Sequence, residues 1–225
     1  MDVRELQRRL QALGCYLGAI DGSFGPASKA GLKAALTGPR DRLAPEQIAA
    51  VAASLDLTPA HVGAVYDVES RGNGMASDGL PIILFERHWF ARLTSGKHNA
   101  CSAISNSKPG GYPKTQAERW EQMLKAVALD PDAALQSASW GLFQIMGFNH
   151  AAVGQSTPWA FAREMAAGEG AHLQAFAAFI KSKGLVDELR DKRWAAFARA
   201  YNGPNYAINS YDTKLAAAYA ARGGR

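Results

Sequence analysis

Thr58 and Pro59 open a helix that Gly72 and Gly74 close, and the apolar face between them runs into a carboxylate. The Thr58 hydroxyl is a natural N-cap, and Pro59 loses nothing in a first turn where its missing N–H would have no intrahelical partner. Glycines just past the last periodic residue are the stop signal. Between them Val62, Val65 and Tyr66 occupy i, i+3 and i+4, and the next position on that face, i+7, is Glu69. An acid at that place is disfavoured as an anion by desolvation and by the negative end of the helix dipole. A glutamic acid that keeps its proton near neutral pH has what a general acid needs. The same pattern also describes a buried glutamate paired with a structural arginine, and periodicity alone leaves both readings open.

A second acid interrupts an apolar run further on. Pro81-Ile82-Ile83-Leu84-Phe85-Glu86 reads as a buried strand on which Glu86 shares a face with Leu84 and His88. Glu86 is either a second site carboxylate or the partner of Arg87 or Arg71. Asp78, in the turn-rich stretch Asn73 to Gly79, is the alternative acid. Residues 94–116 are polar and rich in glycine and proline, so they read as a long loop of the kind that often carries function.

Two more segments matter: Ser137-Ala138-Ser139-Trp140-Gly141-Leu142-Phe143-Gln144-Ile145, and Ala198-Arg199-Ala200-Tyr201-Asn202-Gly203 at a helix end. Glu69-Ser70 closing a helix, then S-x-G-L-F-Q-I, then A-Y-N-G, in that order, resembles the lysozyme-like superfamily of goose-type lysozymes and lytic transglycosylases. Val68-Glu69-Ser70-Arg71-Gly72 together with Leu84-Phe85-Glu86-Arg87-His88-Trp89-Phe90 is similar to phage and prophage N-acetylmuramidase endolysins. The resemblance spans about residues 57–210. It implies a sugar cleft with Glu69 as general acid and a small β-element, bearing Glu86, as one wall. Ser70, Asp78, Gly141, Gln144, Tyr201 and Asn202 would contact substrate. Gly141 would let the backbone approach a sugar, Gln144 would offer it an amide, and Tyr201 would meet it near the acid.

The first 55 residues read as three short helices: about 2–13 with Val3, Leu6, Leu10 and Leu13 on one face, Pro26 to Leu36, and Pro45 to Leu55. Between the first two lies Leu17-Gly18-Ala19-Ile20-Asp21-Gly22-Ser23-Phe24-Gly25-Pro26, a tight glycine-rich turn. L-Q-x-x-L-x-x-L-G followed by D-G-x-F-G-P resembles the peptidoglycan-binding module found at the ends of wall hydrolases. That likeness implies binding through Leu17, Asp21, Gly22, Phe24 and Gly25, although the turn alone would account for each residue type. Here Ser28 stands where the family has threonine, and its later apolar Phe-Gln step is absent.

The expected architecture is mainly α: a three-helix module over 1–55, then a lysozyme-like catalytic domain with a small β-element over 56–225. Helices are expected over Gln116 to Ala128, Trp159 to Ala167, His172 to Lys183, Trp194 to Asn202 and Ser210 to Ala221, with a turn at Pro131-Asp132. Hydrophobic content of 48% and charge of 20% describe an ordinary globular protein. No apolar run is long enough to span a membrane, and the N-terminus has no basic stretch before an apolar core. The expectation is therefore synthesis in a host bacterial cytoplasm without a signal peptide, and action on the wall in the periplasm. Cys15 and Cys101 read as free thiols. No cofactor is expected. His98 and Cys101 lack a second ligand pair, so no metal is expected either.

The net charge of +5 sits at one end: residues 181–225 carry 9 basic and 4 acidic side chains, while the rest balances. Such a region suits an anionic polymer, and the partners expected are peptidoglycan and an anionic outer-membrane or lipopolysaccharide surface. Aromatics are not interleaved with the basic residues, so nucleic acid is not expected. A monomer is expected. The reaction that the resemblance implies is cleavage of the β-1,4 bond between N-acetylmuramic acid and N-acetylglucosamine. A lytic transglycosylase giving 1,6-anhydro ends needs no second carboxylate and stands as the alternative. A non-catalytic wall-binding or membrane-active protein is a third reading.

Overall fold

The computed structural model describes residues 1–69, 73–204 and 206–224, and its helices begin where the chain supplies caps. Helix α1 (Val3–Ala12) starts at Asp2, whose side chain accepts from Glu5 N at 2.8 Å. Helices α2 (Pro26–Ala35), α3 (Pro45–Ser54) and α4 (Pro59–Glu69) each take proline in the first turn. Helix α5 (Arg87–Leu93) follows a short strand β1 (Ile83–Phe85). Helix α6 (Gln116–Val127) carries a capping box between Thr115 and Glu118, and α7 (Pro131–Gln136) is capped by Asp130. Strands β2 (Ala138–Trp140) and β3 (Ile145–Met146) precede α8 (Pro158–Met165) and α9 (Glu169–Ser182). Then come α10 (Val186–Arg190), α11 (Trp194–Asn202) and α12 (Tyr211–Ala221).

The fold is mainly helical with one small antiparallel sheet in the order β1-β2-β3. Leu84 pairs with Ser139, and Ser139 pairs with Met146, which puts all three on one face. Ile83 and Phe85 go to the other face and are fully buried. The outer edge of β1 is closed by a side chain: Gln116 accepts from Ile83 N and donates to Ile83 O, both at 3.0 Å. This satisfies backbone groups that an edge strand would otherwise leave unpaired. Trp120 and Trp140 meet edge to face beneath the sheet, with centroids 5.8 Å apart. Each indole N–H is satisfied, by Pro81 O and Leu135 O respectively.

The strand expected over 81–86 is shorter than its apolar pattern. Glu86 N still donates to Ser137 O at 2.8 Å, but Ser137 is already the C-cap of α7, so the ladder stops at Phe85. Glu86 is the N-cap residue of α5, and His88 therefore sits on a helix and not on a strand face beside it. Helix α5 has no counterpart among the expected elements, because only Phe90 and Ala91 of its seven residues are buried and the segment shows little periodicity. The turn expected at Pro131-Asp132 is instead the first turn of α7.

Helix α4 lies between α3 and α12, which is why Val62, Ala64 and Val65 are all buried and the helix has no solvated face of ordinary width. Gly63 leaves room for the Arg222 side chain, which follows α12: a Cβ there would meet its guanidinium at 2.5 Å. Arg222 in turn donates to both oxygens of Asp67, at 2.6 and 2.7 Å. One apolar core runs from Leu6 and Leu10 in the N-terminal helices to Phe176 and Phe197 in the C-terminal half. Each fully buried side chain of that size contributes about 1.5–3 kcal/mol. The N-terminal segment is joined to the rest by polar contacts as well: Gly38 N donates to Gly79 O at 2.9 Å, Lys33 pairs with Glu121 at 2.9 Å, and Arg163 donates to Ala35 O. Among the described residues no single helix is long and apolar enough to cross a membrane. Cys15 and Cys101 are both free.

Candidate active site

A cleft of about 690 Å³ opens where the ends of α4 and α11 meet the sheet. Glu69, Glu86, Gly141, Gln144, Tyr201 and Asn202 all line it, so the fold brings together expected site residues from well-separated segments of the chain. Leu84, Ser139 and Met146 supply the wall formed by the sheet. Ser70 lies outside the described residues.

Glu69 is half-buried as the last residue of α4. Its Oε1 accepts from Asn202 Nδ2 at 3.0 Å, and Asn202 is the last residue of α11. Two helix ends are thereby joined at the carboxylate. Tyr201, one residue earlier, is expected from the sequence to meet the sugar. Its ring lines the cleft, is stacked on Phe197 and packs edge-on against Phe176 and Phe179. Its hydroxyl turns inward and donates to Phe143 O at 2.8 Å. Burial, with the Glu69 carboxylate and Tyr211 nearby, holds this phenol well above its ordinary value, so it stays a donor. Tyr201 thus shapes the cleft by fixing the backbone of the β2–β3 connection.

The same connection accounts for Gly141 and Gln144. Gly141 has φ +68°, and a Cβ there would meet the His172 ring at 2.7 Å. The close approach that requires glycine is therefore to His172. Gln144 also adopts a left-handed φ of +50°, unusual for a residue with a side chain. Its amide is spent at home: Nε2 donates to Gly141 O at 2.7 Å, and Oε1 accepts from Ser139 Oγ at 2.8 Å. The amide expected for a sugar holds the turn that floors the cleft.

Glu86 lines the cleft with its side chain only 15% exposed. Tyr112 Oη donates toward it, 2.8 Å from Oε2 and 3.0 Å from Oε1, and His88 Nδ1 lies 3.1 Å from Oε2. Partial burial and the adjoining Glu86 carboxylate push the Tyr112 phenol up to about 12. Of the two arginines expected as alternative partners, Arg87 turns its guanidinium to Ser102 O, and Arg71 lies outside the described residues. Tyr112 comes from the long polar loop over residues 94–116, in which the sequence marks no single residue. Asp78 is elsewhere: its Oδ1 accepts from Leu80 N at 3.1 Å in a turn docked on Gly38, and it is not part of the cleft. An aspartate that closes its own turn is a common structural use of the residue.

Residues that periodicity does not single out hold these parts in place. Glu169 and His172, on α9, are both buried. Glu169 accepts from Gly74 N at 2.8 Å and from Leu43 N at 3.1 Å, tying the connection after α4 to the segment before α3. His172 Nδ1 accepts from Leu142 N at 3.1 Å, which leaves Nε2 to donate to Met165 O at 2.7 Å. Burial holds its pKa below the ordinary value, so the ring is neutral. Arg42 joins Tyr66 Oη, Asn73 and Glu169 at the cleft edge. On a helix such as α9, the two polar residues read only as an interruption of the apolar stripe. Among the described residues no group of three or more His, Cys, Asp or Glu side chains is placed to hold a metal ion.

In the N-terminal module the turn is organised by Gln7, which is fully buried. Its Nε2 lies 2.9 Å from Asp21 Oδ1 and 3.0 Å from Ser23 O, and its Oε1 accepts from Gly22 N at 2.8 Å. Asp21 and Gly22 therefore build the turn, Gly25 caps α2, and Phe24 packs against the core. Leu17 is 93% exposed, which its apolar side chain alone does not explain.

Comparison with known proteins agrees with this architecture. The N-acetylmuramidase family model matches residues 58–222, and a peptidoglycan binding domain model matches residues 1–35. No curated protein matches the chain significantly. The crystal structure of the Burkholderia AP3 phage endolysin is 36% identical with a TM-score of 0.74, covering 98% of this chain and 95% of that one. The chain belongs to the N-acetylmuramidase family: it is a glycoside hydrolase of the bacterial cell wall.

Proposed function

We propose that the enzyme cleaves the β-1,4 bond between N-acetylmuramic acid and N-acetylglucosamine by hydrolysis, with Glu69 as the general acid. The observation that carries this reading is the position of Glu69 at the end of α4, lining the cleft and held by Asn202. The Glu69 carboxyl gives its proton to the glycosidic oxygen as the bond from the anomeric carbon to that oxygen breaks. An oxocarbenium-like centre develops on the muramic ring. Water adds to the anomeric carbon and passes a proton to a carboxylate, the role of Glu86. The hydroxyl of Tyr112 holds Glu86 in position for it. Solvent then resets both acids.

The product tests the reading. Hydrolysis leaves a reducing-end muramic acid that borohydride reduces, and mass spectrometry of wall digests should show these ends. Fragments lighter by one water and inert to borohydride would assign transglycosylation instead. Glu86 would then lose its role, while Glu69 would keep the acid role.

The module over residues 1–55 is proposed to hold the enzyme on peptidoglycan, with exposed Leu17 as an apolar contact. Its likeness to peptidoglycan binding domains supports this. Leu17→Ser should reduce co-sedimentation of the full chain with purified sacculi, and unchanged binding would refute the assignment. The similarity to a phage endolysin supports a role in host lysis, acting on the wall from the periplasmic side.

A further inference from the structure

We propose that Arg119 determines specificity by recognising the lactyl carboxyl group of muramic acid; this rests on the muramidase reading above. Arg119 lies in the first half of α6 and lines the cleft together with Glu69 and Glu86. It is the one lysine or arginine among the described residues that line it. Its Nε donates to Pro113 O at 3.0 Å, which fixes the plane of the guanidinium. Among the described residues it has no ion-pair partner. The nearby carboxylates are engaged otherwise, Glu69 by Asn202 and Glu86 by Tyr112.

The chemistry of the strand picks out a match. The two alternating sugars share their ring, their N-acetyl group and their linkage. Only muramic acid carries a 3-O-lactyl group, which ends in a carboxylate when free and in an amide when a peptide stem is attached. A cleft that holds the Glu86 carboxylate beside the Glu69 acid disfavours that anion unless a cation is supplied. A guanidinium offers two parallel N–H donors to a carboxylate, and fewer favourable terms to an amide oxygen. Arg119 therefore gives the cleft a means of telling a muramic from a glucosamine residue.

The test uses peptide-free glycan strands and the same strands with the lactyl carboxyl capped as a methylamide. The kcat/KM of the full-length wild type, Arg119→Gln and Arg119→Lys is measured on both, with thermal midpoints as a check on folding. Arg119→Gln should lose roughly tenfold or more on the free-acid strands, mainly through KM, and clearly less on the methylamide. Arg119→Lys should recover part of the free-acid preference, because it keeps charge without the planar fork. Added salt should erode the wild-type preference. An equal loss on both strands would mean that Arg119 only braces the loop through Pro113, and would overturn the proposal, as would no loss at all. A wild type inert on both strands would overturn the muramidase reading itself, and this assignment with it.

Discussion

The Asn202 side chain donates to Glu69 Oε1 at 3.0 Å, joining the last residues of two helices that stand 133 positions apart. This bond places the carboxylate where two helix ends meet in the cleft, so its two partners should differ in what they contribute. Glu69→Gln keeps size and hydrogen bonding but removes the transferable proton. Turnover of purified wall should fall about 10²–10⁴-fold while binding to sacculi persists. Asn202→Ala leaves the acid in place and removes one hydrogen bond, so the loss should be about tenfold or less. If the two variants lose rate equally, Glu69 is not the proton donor.

Glu86 and Tyr112 form the second pair. If Glu86 receives the proton of the attacking water, Glu86→Gln should slow turnover, though less than Glu69→Gln. Tyr112→Phe removes only the hydroxyl that braces Glu86, and should cost a few-fold, about what one hydrogen bond is worth. In the double variant the Tyr112 effect should shrink, since the carboxylate that the hydroxyl braces has gone and only a neutral amide oxygen remains to accept from it. Additive losses would place Tyr112 in contact with the sugar instead.

How much of this site is legible in the sequence depends on whether a residue's partner is local. Glu69 stands out because its helix has a start, a stop and an apolar face, all within Thr58 to Gly74. The S-W-G-L-F-Q-I segment is also legible as part of the cleft, but the partners of Gly141 and Gln144 are not. Gly141 answers to His172, which arrives from α9, and Gln144 folds back on its own turn through a left-handed backbone. Tyr112 and Arg119 carry no pattern of their own: one lies in a polar loop, the other on a helix flank. Glu169 and His172 look like polar breaks in a buried stripe, and their roles depend on backbone groups of Leu43, Gly74 and Leu142. Boundaries are readable where proline or a capping side chain marks them, as at α2, α3, α4 and α6. They are not at β1, where the end of a partner strand decides.

The basic C-terminal region is less available than its formal charge implies. Arg193 pairs with Glu188 and Asp191, Arg190 with Asp187, and Arg222 with Asp67. Lys181, Lys183 and Arg199 are exposed. Neutralising these three should weaken adsorption to intact bacterial cells at low salt and flatten its salt dependence, because exposed charges act over a Debye length of about 8 Å at physiological ionic strength. Neutralising Arg193 should instead lower stability slightly and leave adsorption as it was. An unchanged salt dependence in the triple variant would remove this region as a surface contact.

The expected boundary at 55/56 falls between α3 and α4, which pack on each other, so folding is not expected to divide there. Gly38 is the sharpest test of that junction. A Cβ at this position would lie 1.6 Å from Ala166 O, a backbone atom that cannot swing aside. Gly38→Ala should destabilise the whole chain by about 1–3 kcal/mol, as overpacking does. It should do so in a single urea transition followed by fluorescence and by circular dichroism. Two separate transitions, with only the first shifted, would show the N-terminal helices folding apart from the rest.

His172 makes stability depend on pH with a definite sign. Burial depresses its pKa below the ordinary 6.5, so the unfolded chain binds more protons than the folded one between the two values. The contribution of the neutral ring is therefore complete above about 6.5, and is lost progressively as pH falls from there toward the folded value. His61, also depressed by burial, acts in the same direction. Urea midpoints should be flat above about pH 7 and fall as pH drops from about 6.5 to 5. Glutamine can supply both an acceptor for Leu142 N and a donor for Met165 O without titrating. His172→Gln should therefore lower the midpoint at neutral pH while reducing its slope on the acid side, leaving the part due to His61. A variant with the full wild-type slope would show that the ring at 172 is not the group that titrates.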